Sequence, residues 1–481
     1  MKFSNIFVLS LVALLTTTCL WAQSPDRSAP PKSEKPKNLQ LPSIQNFRLS
    51  NGVRVVMMEK RNVPLVQVNL IIQTGPFHDP AGKEGLADFA LDLMDEGADT
   101  LNALKLADEI DYLGASINTS AQQFRSTIAC STPASKLKES LALMSLIALK
   151  PLFSQEEIER KKKEWLNELL QEFDDPGIIA EKAFNKYLFG NKSAYGKSAS
   201  EKSVRSFSRE DLVNFHKMNF VAGNTSIIVV GDVSKDEITA LLEKFFSSYS
   251  SAMMKRPGNS IPEQYKSRKI LIVNKPEAAQ SVIMIGAIGA DRATPDYNAI
   301  QVFNTIFGGS FTSRLNTNLR ETHGYSYGAF SHFDFWPVPG PFTASSSVQT
   351  DATGPALKEF FNEFDAITKK MPTDEFERGK NYQALRYAGG FSTLEAIAVK
   401  LYEYVANSLP DDYFNTYVDK TLAVSQLSTE EATRKYILPD KFLVVIVGDA
   451  SKIEAEVNKQ KLGKATVVSI EDVLGKKPKV N

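Results

Sequence analysis

Apolar and polar positions follow two alternating periods along this chain, and the whole pattern occurs twice. Strand-like apolar runs cover residues 53–58 and 65–72, and a second pair covers 270–273 and 281–288. Later in each stretch comes a longer apolar run with a shared ending, Thr225-Ser-Ile-Ile-Val-Val-Gly-Asp-Val-Ser-Lys235 and Phe442-Leu-Val-Val-Ile-Val-Gly-Asp-Ala-Ser-Lys452. Both read as a strand, then Gly-Asp-x-Ser-Lys, then a helical pattern. A repeat separated by 217 positions, from Gly231 to Gly448, marks a duplicated unit of about 200 residues. Helical periods alternate with the strands. The clearest runs over 154–173, where Ile158, Trp165, Leu166, Leu169, Leu170 and Phe173 form one apolar stripe. Ser154 and Glu157 are spaced for a capping box, and Asp174-Asp-Pro-Gly177 stops the helix. The expected fold class is α+β: two homologous α/β-sandwich domains, each a mainly antiparallel sheet with helices packed on it.

Breaks in the pattern set the boundaries. Residues 23–44 are rich in Pro, Lys and Ser, lack a hydrophobic period, and read as a flexible linker. A second polar stretch with Pro257, Gly258 and Pro262 places a linker at 249–268. The domains then span 45–248 and 269–470, with a tail at 471–481. At the N-terminus Lys2 precedes an apolar run over 6–15, followed by Thr16, Thr17, Thr18 and Ala22. That run is short for a membrane span and ends in small residues, so residues 1–22 read as a secretory signal peptide, with an uncleaved anchor or a lipid on Cys19 as alternatives. No later stretch is apolar for long enough to span a membrane. Once Cys19 leaves with the signal, Cys130 has no partner for a disulfide and reads as a small buried hydrophobe. Lys plus Arg and Asp plus Glu both total 56, so no global field draws in a polyanion and no nucleic-acid partner is expected.

The stretch Gly85-Leu-Ala-Asp-Phe-Ala-Leu-Asp-Leu-Met94, with Glu159-Arg160, Asp175-Pro176, the Val-Val-Gly-Asp strand, Gly308-Gly309, Ser313-Arg-Leu315 and Leu319-Arg-Glu-Thr-His-Gly-Tyr-Ser-Tyr-Gly328, resembles the pitrilysin/insulinase-like peptidases over nearly the whole mature chain. That family carries an inverted zinc motif, H-x-x-E-H, where this chain has residues 88–92. The resemblance puts two histidine ligands at Asp88 and Asp92, the general base at Leu91, and a third, glutamate ligand at Glu168. Both imidazoles and the base are absent here. Zinc prefers imidazole and thiolate donors, and Leu91 can neither accept nor give a proton. Asp88, Asp92, Asp95 and Glu96 read instead as a solvated acidic helix face, with a carboxylate site for a harder ion as the alternative. The four histidines, His78, His216, His323 and His332, are nowhere spaced four apart. The expectation is no metal in this chain.

In two-part members of the family, an Arg and a Tyr seven residues apart come from the second half of the enzyme, and Arg320 and Tyr327 have that spacing. Arg320 is expected to close a helical run starting near Phe311, with Tyr325 onward alternating as a strand. A guanidinium and a phenol are donors that can be aimed at the oxyanion of peptide hydrolysis. Pairing of Arg320 with Glu321 or Asp334 and packing of Tyr327 in a sheet is the plain structural alternative, and Tyr325, on the same strand face, is the alternative tyrosine. Gly308 and Gly309 lack the rest of a phosphate loop and read as glycines that permit close packing at a helix start.

The resemblance thus implies the zinc-lacking subunit of a secreted, periplasmic, two-chain peptidase. It would supply Arg320 and Tyr327 to a homologous zinc-bearing partner, with zinc in that partner, for hydrolysis of unfolded peptides. The alternatives are a non-catalytic peptide-binding or scaffold homologue and an independent hydrolase with a metal on Asp88, Asp92 and Glu168. Homodimer and heterodimer both remain open.

Overall fold

The two valine-rich runs that reveal the repeat become inner strands of two six-stranded sheets in the computed structural model, which describes residue 36 and residues 38–190, 193–252 and 263–479. The first sheet contains β1 (Gln45–Arg48), β2 (Arg54–Glu59), β3 (Leu65–Ile72), β4 (Ser116–Gln122), β5 (Arg125–Pro133) and β6 (Thr225–Gly231), ordered β1-β2-β6-β3-β5-β4. The second contains β7 (Lys269–Asn274), β8 (Gln280–Ile288), β9 (Ser326–Phe335), β10 (Pro339–Gln349), β11 (Leu443–Gly448) and β12 (Ala465–Ser469), ordered β9-β10-β8-β11-β7-β12. Counted from β4 and β9, five strands correspond in order and direction. The first three pairings in each are antiparallel, and β2 with β6 matches β7 with β11 as a parallel pair. The sixth strand breaks the repeat, because β1 runs antiparallel to β2 whereas β12 runs parallel to β7. Each half is thus the expected α+β unit on a mainly antiparallel sheet.

Every residue of β6 and of β11 is buried, which is why their sequences are unbroken apolar runs rather than alternating ones. One face of each sheet carries helices of its own half. The other face is covered by a helix from the opposite half. Helix Leu394–Ala406 sets Ile397, Leu401 and Val405 against Val56, Met58, Ile228 and Val230 of the first sheet. Helix Pro176–Phe189 sets Ile179, Ala183 and Phe184 against Val273, Leu443, Val445 and Val447 of the second. Gly286 permits this approach: a Cβ there would lie 1.9 Å from the Phe342 carbonyl oxygen and 2.9 Å from the Phe184 ring.

The long helix spans Gln155–Gln171, with the Ser154 hydroxyl accepting from the Glu157 N–H at 3.3 Å. Asp174-Asp-Pro-Gly177 is a stop and also a start, because Asp175 caps the exchanged helix through the Gly177 and Ile178 N–H groups and Pro176 takes its first position. The described end of the 23–44 segment and the start of the tail make contacts with the rest of the chain. Of residues 38–44, Asn38 donates to Asp419, the Leu41 N–H donates to Asn415, and Leu39, Leu41 and Ile44 pack beside helix Leu394–Ala406. In the tail, Ile470–Leu474 is a helix, and Lys186 donates to the Asp472 and Val473 carbonyls. Residues 1–22, read as a signal peptide, and residues 253–262, read as part of the second linker, lie outside the described residues. Among the described residues no helix is long and apolar enough to cross a membrane. Cys130 is buried and forms no disulfide, and burial pushes its thiol up to about 12.

Candidate functional site

Helix Leu86–Met94 begins at Gly85, which holds φ 94°. No side chain at the cap position serves it. Asp79, six residues upstream, does so instead, accepting from the Gly85 and Ala87 N–H groups at 2.7 and 2.9 Å. Burial pushes Asp79 up to about 7. Leu86, Phe89, Ala90, Leu91, Leu93 and Met94 are buried, and the Thr119 hydroxyl ties β4 to the Leu91 carbonyl at 2.7 Å.

The acidic face of this helix is not left to solvent as expected. It packs against helix Gln155–Gln171. Asp92 is half-exposed, accepts the Trp165 indole N–H at 2.8 Å and has the Lys161 ammonium at 3.8 Å. Glu96 pairs with Arg160 at 2.7 Å and Lys161 at 3.0 Å. Asp88 turns into a cavity of about 550 Å³ that Trp165 and Glu168 also line. Burial, then the neighbouring Asp92 charge, push Asp88 up to about 6, and the same two causes raise Glu168. Of the other charged groups lining the cavity, Glu84 pairs with Lys197 at 3.3 Å and Glu172 pairs with Lys182, while Asp79 caps the helix.

These groups do not fit a catalytic zinc ion. Asp88 and Glu168 share the cavity, but the Asp92 oxygen already receives the indole proton, and Leu91 is fully buried among apolar side chains. Among the described residues no group of three or more His, Cys, Asp or Glu is placed to hold a metal. The alternative site on Asp88, Asp92 and Glu168 therefore lacks convergent donors. His216 is bonded to the Ala148 carbonyl at 2.8 Å and stacked on Phe220, His323 stacks on Tyr325, and His332 bonds to the Thr343 hydroxyl.

In the second half, Ser313 caps a short turn, Arg314–Asn316, that runs on as a π-helical turn, Thr317–Thr322. Arg320 lies inside this π-turn rather than closing a run from Phe311. Its guanidinium sits over the Phe311 ring at 4.6 Å and 3.4 Å from Glu321, with about a third of the side chain exposed. Asp334 is not its partner and faces His332 instead. The register of β9 on β10 slips between Ser326 and Ala329, so Tyr327 stands in a β-bulge. The bulge is pinned on both sides: Asn316 accepts the Ala329 N–H at 3.2 Å, and Ser346 donates to the Gly328 carbonyl at 2.8 Å. Tyr327 is 93% exposed, so its reading as a packed sheet residue is overturned. Tyr325 precedes the strand, packs against the second core and does not share the outward position. Gly308 and Gly309 follow the end of helix Tyr297–Phe307 rather than starting one, and a Cβ on Gly308 would lie 2.4 Å from the Ser331 nitrogen.

Sequence reasoning missed Asp79 and Trp165 at this site. An acidic residue ahead of a glycine-led helix is a legible signal for the first. Nothing in the apolar stripe distinguishes the indole that reaches across to Asp92.

Residues 54–193 match the family described as "Insulinase (Peptidase family M16)", and residues 206–382 match "Peptidase M16 inactive domain". An "Uncharacterized zinc protease" of Rickettsia felis is 26% identical over 345 residues, covering 70% of this chain and 82% of that protein. One of Bacillus subtilis is 24% identical over 301 residues, covering 62% and 72%. The fold is shared with a peptidase M16 inactive domain of Pseudomonas fluorescens (TM-score 0.77, 24% identity, covering 84% of this chain and 98% of that one). It is shared too with a protease of Helicobacter pylori (TM-score 0.78, 18% identity, 85% and 100%). With matches across both halves and the fold in common, this chain belongs to the pitrilysin/insulinase peptidase family M16, as a member that lacks the zinc motif.

Proposed function

We propose that this chain is the zinc-lacking subunit of a secreted, periplasmic two-chain peptidase, contributing Arg320 and Tyr327 to a homologous partner that carries the zinc and activates water. The observation that carries this reading is Tyr327, which stands in a bulge whose backbone is pinned on either side and whose phenol is almost entirely exposed. Fold stability gives no reason to hold a tyrosine there, and bulges re-aim side chains beside active sites. A π-turn under Arg320 is a second local irregularity of the kind found at functional sites. In a closed complex these groups donate hydrogen bonds to the carbonyl oxygen of a bound, unfolded peptide as it gains charge. The relatives named as zinc proteases suggest the same reaction class for the assembly. A purely scaffolding homologue would equally lack zinc donors, but it leaves the exposure of Tyr327 without a purpose.

The test is reconstitution. The purified chain alone leaves unstructured peptides intact, and addition of a homologous zinc-bearing subunit restores turnover. Arg320→Ala in that complex lowers kcat by about 10²–10³, the worth of one oxyanion donor. Unchanged turnover in the Arg320→Ala complex removes the assigned role.

A further inference from the structure

A second cavity, of about 480 Å³, lies among the helices of the second half and is walled by Tyr297, Tyr387, Tyr413 and Tyr417. Its rings form a compact aromatic wall, with Tyr387 stacked on Tyr417 at 4.0 Å between ring centres. Behind the wall lies Arg292, 8% exposed, whose guanidinium contacts among the described residues are tyrosines rather than a carboxylate. Its guanidinium sits over the Tyr297 ring at 3.7 Å, and its Nη2 donates to the Tyr413 hydroxyl at 2.8 Å. An isolated buried cation is costly unless something anionic or electron-rich faces it. The rings meet part of that need and leave the charge uncancelled.

The cavity lining adds Arg386, Lys400 and Glu403. Lys400 and Glu403 cancel each other at 3.1 Å. Arg386 has only the Tyr382 ring, at 5.4 Å, as a neighbour of this kind. Arg292 therefore stands unmatched behind the cavity, and Arg386, exposed at its rim, offers a second guanidinium without a carboxylate partner among the described residues. The hydroxyls point to the same ligand class. The Tyr387 oxygen is buried and has no hydrogen-bond partner. The Tyr413 oxygen accepts from Arg292, so its own proton is available to donate. Burial raises all four phenols, which keeps them protonated as donors.

We infer that this cavity binds a small organic carboxylate bearing a flat ring, with the carboxylate taken by the Tyr387 and Tyr413 hydroxyls and Arg386 and the ring lying against the tyrosine faces. The carboxylate is that of a free aromatic acid or of a peptide C-terminus. The site uses none of the residues of the Arg320–Tyr327 proposal and stands or falls separately from it.

The experiment is calorimetric titration of the full chain with N-benzoylglycine, with N-benzoylglycinamide, and with an unstructured peptide ending in phenylalanine as free acid. N-benzoylglycine is expected to bind with a sub-millimolar Kd and its amide about tenfold more weakly, the difference of one charge-assisted bond. Tyr387→Phe and Arg386→Gln each weaken the acid about five- to tenfold while the melting temperature stays constant, and these variants avoid the folding risk of altering buried Arg292. Binding of the peptide as tightly as the small acid identifies a chain terminus as the source, and binding of the small acid alone identifies a free acid. Equal affinity for acid and amide, no saturable binding by either acid up to about 10 mM, or indifference to both substitutions overturns the inference.

Discussion

Helix Leu86–Met94 in the first half and the π-turn Thr317–Thr322 in the second each border the edge strand of their sheet, β4 and β9, which occupy corresponding places in the repeat. In the first half the chemistry has been closed off: Leu91 is sealed in the core and the Trp165 indole engages Asp92. In the second half the backbone departs from regularity twice, at the π-turn that carries Arg320 and at the bulge that leaves Tyr327 exposed. The same scaffold thus has a packed face at one edge strand and an exposed tyrosine at the other. Irregular backbone, more than residue type, separates the two.

Four experiments break or sharpen that contrast. The largest effect is expected from Leu91→Glu, which restores the family's base but places a carboxylate where no water reaches. Urea denaturation should show a loss of roughly 3–5 kcal/mol, with no zinc taken up by the chain. Tyr327→Ala should do the opposite, lowering turnover of a reconstituted complex by about 10²–10³ while shifting stability by less than about 0.5 kcal/mol, because the side chain is solvated. If the thermal midpoint drops instead, Tyr327 is a packing residue. Gly85→Ala should cost about 2 kcal/mol, since the left-handed backbone disfavours a side chain and the new Cβ meets the Ala199 Cβ at 2.7 Å.

The smallest effect, Asp88→Asn, carries a pH signature. The folded state holds the Asp88 proton up to about pH 6, against an ordinary value of 3.8. Its contribution to stability is complete below the ordinary value and is lost as pH rises through about 6. Asn should therefore stabilise the chain by about 1 kcal/mol at pH 7.5, allowing for solvent screening, and by nothing at pH 3.5. A gain that persists at pH 3.5 would assign the effect to packing.

The repeat, the α+β class and the loss of zinc donors were legible because each rests on local sequence: Gly231 and Gly448 with their valine runs, and Asp88, Leu91 and Asp92 in place of H-x-x-E-H. Tyr327 was legible by spacing, but its exposure was not, since a bulge at Tyr327 and Gly328 leaves no mark on an otherwise alternating strand. Helix Pro176–Phe189 went unread behind the Asp174-Asp-Pro-Gly177 stop, and its partner could not have been read from it. Ile179, Ala183 and Phe184 make the same stripe whichever sheet they cover. The indole bond to Asp92 spans 73 residues and depends on two helices meeting, which no single-helix period encodes.

The crossing-over of Leu394–Ala406 and Pro176–Phe189 makes each half a chaperone for the other. A polypeptide cut between residues 252 and 263 would yield fragments that each lack one lid, leaving Val56, Met58 and Val230 or Val445 and Val447 bare to water. Neither fragment should persist as a monomer, the pair should anneal when coexpressed, and the intact chain should melt in a single step despite its tandem ancestry.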